Sequence, residues 1–432
     1  MSYKHWQVED DNNIATVTLD VEGTSANVLS REVLEELEKL LDRLSAREHE
    51  GVIFRSAKSS FIVGADVTEF RKITDSAQAA DVARHGQHLL NKIVALPFPS
   101  VAVIHGHCLG GGMELALACT YRVARDDEGT RLGLPEVKLG IHPGFAGTER
   151  LPPLVGDMTA LDLMLTGRTV SSRQARAMGL VDETVPERYL LRAAQTLIAK
   201  RPRRHKARWW QRLPAWKFVR KPVARLVERS VRAKAKPDHY PAPYRILELW
   251  QNSASQETEA ASLGEMMAGR TSRNLVTIFL LAEELKRRGK KATHNIERVH
   301  VIGAGVMGAD IAIWAASRGF QVTLQDRSTE ILARAVKKAA GFYKKKLKQP
   351  RLVQEAMDRL MPDLNGDGLA RADLVIEAIV EKVEAKRDLF ANVEKRVPAT
   401  ALLATNTSSI PLEDIARALK DPTRLVGLHF FN

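Results

Sequence analysis

Long hydrophobic runs, cysteines and acidic residues are all in short supply in this sequence of 432 residues. No stretch of about 18 uninterrupted apolar residues occurs, so no membrane-crossing helix is expected. The N-terminus, MSYKHWQVEDD, is polar and acidic, unlike a secretory or organellar leader. Cys108 and Cys119 are its two cysteines, which excludes a disulfide framework and suits a reducing compartment. A cytoplasmic protein is therefore expected, and no metal site.

Acids number 52 against 65 Lys and Arg, for a formal net charge of +13. The excess is local. Between Lys200 and Lys236 fifteen bases face one acid, Glu228, and the remainder of the chain is close to neutral. A local excess argues against a surface built for nucleic acid. Trp209, Trp210, Trp216 and Phe218 are interleaved with those bases, a mixture suited to peripheral contact with an anionic membrane. The competing reading is a charged linker whose aromatics pack on neighbouring domains. Prolines at 202, 214, 222, 237, 241 and 243 favour it, because they break the stretch into short pieces.

Two or three domains are expected at this length. Residues 14–20 alternate as a strand, and Val33, Leu37, Leu40, Leu41 and Leu44 recur at helical spacing behind Ser30, a fitting N-cap. Residues 51–55 and 101–104 are further strands. After the latter comes LGGGMELALA (109–118), three glycines that lead into a helix with Glu114 in its first turn. A helix N-terminus offers unpaired N–H groups to developing negative charge, and glycines let a ligand approach the backbone. Residues 132–150 are rich in glycine and proline and read as structured loop with at most short turns, carrying Glu136. A carboxylate beside an anion-binding turn suits proton transfer at an activated carbonyl. This α/β domain is expected to span residues 1–190, followed by a basic, mainly helical linker over 191–293.

Residues 299–302 read as a strand leading into GAGVMG, so Gly303, Gly305 and Gly308 form G-x-G-x-x-G at the head of a helix. The next strand ends at Asp326, 23 residues after Gly303. Strand, glycines, helix, second strand and acid together form the fingerprint of a dinucleotide-binding, doubly wound Rossmann-type domain over 294–432. Asp326 favours NAD, because an acid there repels a 2′-phosphate.

FIVGADVTEF (61–70), LGGGMELALA, LGLPEVKLG (132–140) and PGFAGTER (143–150), in that order, make residues 1–190 resemble the enoyl-CoA hydratase (crotonase) family. The resemblance implies a crotonase-like ββα spiral and acyl-CoA thioester substrates. It makes the N–H groups of Ala65 and Gly111 the donors to the thioester oxygen, and Glu114 and Glu136 the acid/base pair. It also implies water addition to trans-2-enoyl-CoA giving L-3-hydroxyacyl-CoA, with isomerisation of 3-enoyl-CoA as the alternative. Ala146 and Glu149 replace the family's usual glycine and glutamine, so an altered loop or a third nearby acid is expected.

TNTSS (405–409) and GLHFFN (427–432) make the last part similar to the NAD-binding domain of 3-hydroxyacyl-CoA dehydrogenases. That resemblance implies His429 as the base. It places Ser408 and Asn432 on the substrate side, and Glu381 and Lys386 on the cofactor side. Both families in one chain, hydratase first, resemble the α-subunit of the bacterial fatty-acid β-oxidation complex, which implies an oligomer and a thiolase β-subunit partner. The sequence stops just after HFFN, so the dehydrogenase half is expected to be truncated, binding NAD with little turnover.

Overall fold

The leucine stripe behind Ser30 forms the helix Arg31–Ser45, with the Ser30 side chain accepting the Val33 N–H. It belongs to a computed structural model that describes residues 3–71, 73, 75–290 and 295–431. The chain divides into two compact units, Met1–Lys290 and Lys291–Asn432.

In the first unit a six-stranded sheet runs in the order Trp6–Asp11, Ile14–Leu19, Gly51–Ser56, Ser100–Ile104, Tyr121–Arg125, Glu183–Val185. Its first pair is antiparallel and the rest are parallel. Trp6–Asp11 is not foreshadowed by the sequence pattern, since most of its residues are exposed. The signal lies in the turn: Asn12 and Asn13 sit at φ 51° and 60°, the left-handed pair that closes a two-residue hairpin. A three-stranded sheet joins His107–Leu109, Arg131–Gly133 and Val170–Ser171. Along the chain, strands from 100 to 133 alternate between the two sheets, which produces the ββα spiral. Strand Ser100–Ile104 is wholly buried, and so is every residue of the helix Gly111–Ala118 that follows the glycine turn.

Residues 132–150 hold only short pieces of structure, including a single 3₁₀ turn at Glu136–Leu139 and one helical turn at Gly147–Arg150. Helices Leu190–Lys200, Ala242–Asn252, Gln256–Ala268 and Arg270–Lys290 all fall within the first unit. The basic stretch departs from expectation in two respects. Pro222 does not break it: the helix Lys217–Arg232 runs through that position. Only one intrahelical N–H is lost at a proline, and the flanking turns remain intact. Trp209, Trp216 and Phe218 are exposed rather than packed away.

The second unit is a parallel six-stranded sheet in the order Leu360–Asp363, Gln321–Gln325, Arg298–Ile302, Leu374–Glu377, Leu402–Thr405, Leu425–Gly427. The order reverses beside Arg298–Ile302, the switch point where doubly wound sheets bind ligands at the carboxyl ends of their strands. Helix Val306–Ser317 leaves from that end, directly after the glycines.

Candidate active site

The buried helix Gly111–Ala118 brings Glu114 to the floor of a cavity of about 730 Å³. Ala65, Gly111, Glu114 and Glu136 all line it, together with apolar side chains such as Phe70 and Leu139. The four residues implied by the hydratase resemblance are therefore brought together. Gly110 turns the chain at φ 53°, which favours glycine, and a Cβ there would lie 3.1 Å from Glu136 Oε1, which shows how near that carboxyl comes to the turn. A Cβ on Gly111 would lie 3.6 Å from the Ala65 nitrogen, which shows how closely the two chain segments converge. Ala65 is held by a parallel bridge to Leu29, made through Leu29 N–H to Gly64 O and Asp66 N–H to Leu29 O. Among the described residues the Ala65 N–H meets no acceptor, and Gly111, as the first helical residue, has no intrahelical acceptor for its own.

Glu114 and Glu136 sit in different surroundings. Glu114 Oε1 accepts the N–H groups of Phe145 at 2.7 Å and Gly147 at 2.8 Å. A Cβ on Gly147 would come within 2.7 Å of that same oxygen. Both oxygens of Glu136 are buried without a hydrogen-bond partner among the described residues. Burial pushes both carboxyls above their usual range. The charge of Glu259 adds to the effect at Glu114, and that of Glu114 adds at Glu136. The two N–H donors favour the ionised form of Glu114, whereas among the described residues no N–H group of another residue supports charge on Glu136. Of the pair, Glu114 is therefore the easier to ionise.

Glu259 is the third acid, and sequence reasoning missed it. Residue 149 is the position expected to supply one, but the Glu149 side chain is exposed and accepts from Gln256 Nε2. Glu259 instead comes from the helix Gln256–Ala268 and is buried, its pKa pushed up to about 7 by burial. A signal is present: Glu259 falls four, seven and eight residues before Leu263, Met266 and Met267, on the buried stripe of its helix.

In the second unit Gly303 adopts φ 99°, and a Cβ on Gly308 would come within 1.7 Å of the Gly303 carbonyl oxygen. A Cβ on Gly305 would meet nothing within 4 Å, which leaves the helix N-terminus open. Asp326 Oδ2 accepts the Ala304 N–H at 2.8 Å, so the acid borders the glycine turn. Gly303 and Gly308, which no side chain can replace, an open helix N-terminus and an adjacent carboxylate fit a dinucleotide. Lys386 is buried: its Nζ lies 2.7 Å from Glu377 Oε1 and 3.2 Å from Glu381 Oε2. Burial pushes the Glu381 carboxyl up, but hydrogen bonds from Thr407 and the Ser408 N–H, with Lys386 beside it, hold it at about 2. Glu381, Lys386 and Ser408 are thus brought together as one polar cluster. His429 is exposed, its ring edge-on to Phe431 at 4.5 Å, with no hydrogen-bond partner for the ring among the described residues. Asn432 lies outside the described residues.

A spiral domain with two buried carboxylates beside free backbone donors, carried with a dinucleotide-binding sheet, defines an enzyme of acyl-thioester chemistry. The chain carries an enoyl-CoA hydratase/isomerase domain, matched over residues 9–211, and a 3-hydroxyacyl-CoA dehydrogenase NAD-binding domain, matched over residues 298–432. Hydratase and dehydrogenase domains in this order give the architecture of a fatty-acid oxidation α-subunit, with NAD as cofactor and acyl-CoA substrates. Among solved structures, an enoyl-CoA hydratase from Bacillus anthracis is 35% identical, covering 46% of this chain and 76% of its own, with a TM-score of 0.43. The 3-hydroxybutyryl-CoA dehydrogenase from Escherichia coli is 43% identical over 32% of this chain, with a TM-score of 0.31. This chain spans 30% of that enzyme's length. FadB2 from M. tuberculosis is 35% identical, over 32% of this chain and 50% of its own, with a TM-score of 0.31.

Proposed function

We propose that the first unit adds water to trans-2-enoyl-CoA, giving L-3-hydroxyacyl-CoA, with Glu114 as base and Glu136 as acid. Glu114 takes a proton from water as the oxygen bonds to C3. The electron pair of the double bond moves towards the thioester oxygen, where the Ala65 and Gly111 N–H groups receive the charge. Glu136 then delivers its proton to C2. The observation that carries this reading is the asymmetry of the pair: one buried carboxylate holds two N–H donors and the other holds none. Isomerisation of a 3-enoyl thioester needs one carboxylate to shuttle a proton, so two on one cavity favour hydration.

Acid/base groups of this kind contribute roughly 10²–10⁴-fold each. Replacing Glu114 by Gln in the full chain should lower hydration by that order, followed as loss of the enoyl-thioester absorbance. An unchanged rate would remove Glu114 from the mechanism.

For the second unit the proposal is NAD binding, with Gly303, Gly305 and Gly308 admitting the pyrophosphate to the helix N-terminus and Asp326 accepting from the ribose hydroxyls. NAD, when bound, supplies the hydride acceptor for a 3-hydroxyacyl thioester. Ser408 and His429 lie on the loops that follow Leu402–Thr405 and Leu425–Gly427, at the carboxyl ends of those strands, as a substrate approaching the cofactor requires. A 3-ketoacyl thioester made there is the substrate class of a thiolase, which supports a thiolase partner for an oligomeric complex.

A further inference from the structure

Glu259 lies far along the chain from both catalytic carboxylates, yet it is buried beside the turn that serves Glu114. Its helix, Gln256–Ala268, runs so close to the helix Ser76–Val94 that a Cβ on Gly264 would come within 2.2 Å of the Ser76 carbonyl oxygen. Glu259 Oε1 accepts the Ala146 N–H at 2.6 Å and Gln87 Nε2 at 3.1 Å, and the Thr148 hydroxyl donates to Oε2. Successive N–H groups of the turn therefore go to alternate acids. Those of Phe145 and Gly147 point to Glu114, and that of Ala146 between them points to Glu259.

The turn does not hold this shape by local preference. Ala146 sits at φ 68°, in the left-handed region that residues with a Cβ avoid. Its N–H is buried, so an acceptor must come from elsewhere in the fold. Arg150 braces the carbonyl side, donating to Phe145 O at 2.6 Å, but among the described residues only Glu259 accepts the N–H between the two donors to Glu114. Glu259 does not line the cavity, so it touches no reacting atom.

We propose that Glu259 is a positioning residue for hydration: by gripping Ala146 and Thr148 it fixes the turn that aims the Phe145 and Gly147 N–H groups at Glu114. The inference rests on the assignment of Glu114 to proton transfer. The helix Gln256–Ala268, which lies beyond the family match ending at residue 211, already lines the cavity through Leu263 and Met267, and Glu259 adds a positioning role to it.

The test uses the full chain and three variants, E259A, E259Q and T148V, with two readouts. One is steady-state hydration of a trans-2-enoyl-CoA, resolved into kcat and KM. The other is amide hydrogen exchange of the peptide covering residues 143–150. In E259A, kcat should fall roughly tenfold to a hundredfold with KM little changed, because the donors to Glu114 lose their aim. Exchange in that peptide should accelerate roughly tenfold as the buried N–H loses its acceptor. E259Q keeps an oxygen for Ala146 and an amide to donate to the Thr148 oxygen, so it should restore both readouts to near wild type. Wild-type kcat and exchange in E259A would overturn the proposal, as would an E259Q as damaged as E259A. Should E259A fail to fold, T148V carries the decision: it must speed exchange at 143–150, and unchanged exchange there overturns the proposal. Absence of hydration by the wild-type chain would count against the functional reading alone, since exchange in the variants still decides whether Glu259 holds the turn.

Discussion

Replacing Glu136 by Gln separates chemistry from stability in this protein, because the carboxyl has no structural hydrogen bonds to lose. Both oxygens are buried without partners among the described residues, so the amide forfeits nothing there. What disappears is the proton for C2. Loss of a positioned acid costs roughly 10²–10⁴-fold, or about 3–5 kcal/mol of transition-state stabilisation at 1.36 kcal/mol per decade. The loss should fall on kcat, with KM nearly unchanged, since the proton is passed only in the transition state.

Stability should move the other way, with a definite pH dependence. Burial and the charge of Glu114 raise the Glu136 pKa above its ordinary 4.5. A carboxyl with a raised folded-state pKa contributes its stability fully below the unfolded value and loses it as pH rises through the folded value. The wild-type chain should therefore lose stability relative to E136Q above pH 4.5, and the two should converge towards that pH. Initial rates of absorbance loss on a trans-2-enoyl-CoA, with urea melts of both proteins from pH 5 to pH 9, supply the check. An E136Q protein with wild-type kcat would refute the acid assignment. One that is less stable than wild type at pH 9 would refute the claim that the carboxyl is buried without support.

Three further outcomes are expected. Asp182→Ala strands the buried Arg122 guanidinium, which now pairs with Asp182 at 3.0 Å. Breaking such a pair costs about 3–5 kcal/mol, readable as a lower urea midpoint of the first unit. Lys386→Met leaves the wholly buried Glu377 without its cation and should destabilise the second unit by a similar 3–5 kcal/mol or so; a melt that matches wild type would show that Thr405 and the Ile379 N–H suffice. Gly308→Ala places a Cβ on the Gly303 carbonyl and should weaken NAD binding about tenfold or more, measured by calorimetry, while hydration by the first unit stays as it was.

How far the sequence reveals this arrangement depends on whether the determinants are local. Gly110 and Glu114 are legible because the strand, the turn and the first helical turn follow one another, and the chemistry needs them adjacent. Glu136 pairs with Glu114 by resemblance, and both line the one cavity. The hairpin at Asn12 and Asn13 escapes notice because its outer strand is mostly exposed and carries little apolar alternation. Pro222 misleads for a simpler reason: a proline removes one hydrogen bond, and a long helix can absorb that loss. Lys386 is hidden in a different way. A lysine in the first turn of a helix resembles a solvated charge until Glu377, at the end of a neighbouring strand, is seen to meet it.

Glu259 is the most instructive case, because its position on a buried stripe is visible and its purpose is not. A stripe says that a side chain faces inward, but only the packing of the helix Gln256–Ala268 on Ser76–Val94 says what it meets there. The proposed catalytic pair and oxyanion donors lie within residues 65–136, whereas the acid that accepts the Ala146 N–H of the turn beside Glu114 lies more than a hundred residues later. A hydratase site defined by its motifs alone would stop short of that helix. If Glu259 holds Ala146 as its geometry indicates, the functional boundary of the first domain lies beyond residue 259, and the stretch that reads as a linker is part of the enzyme.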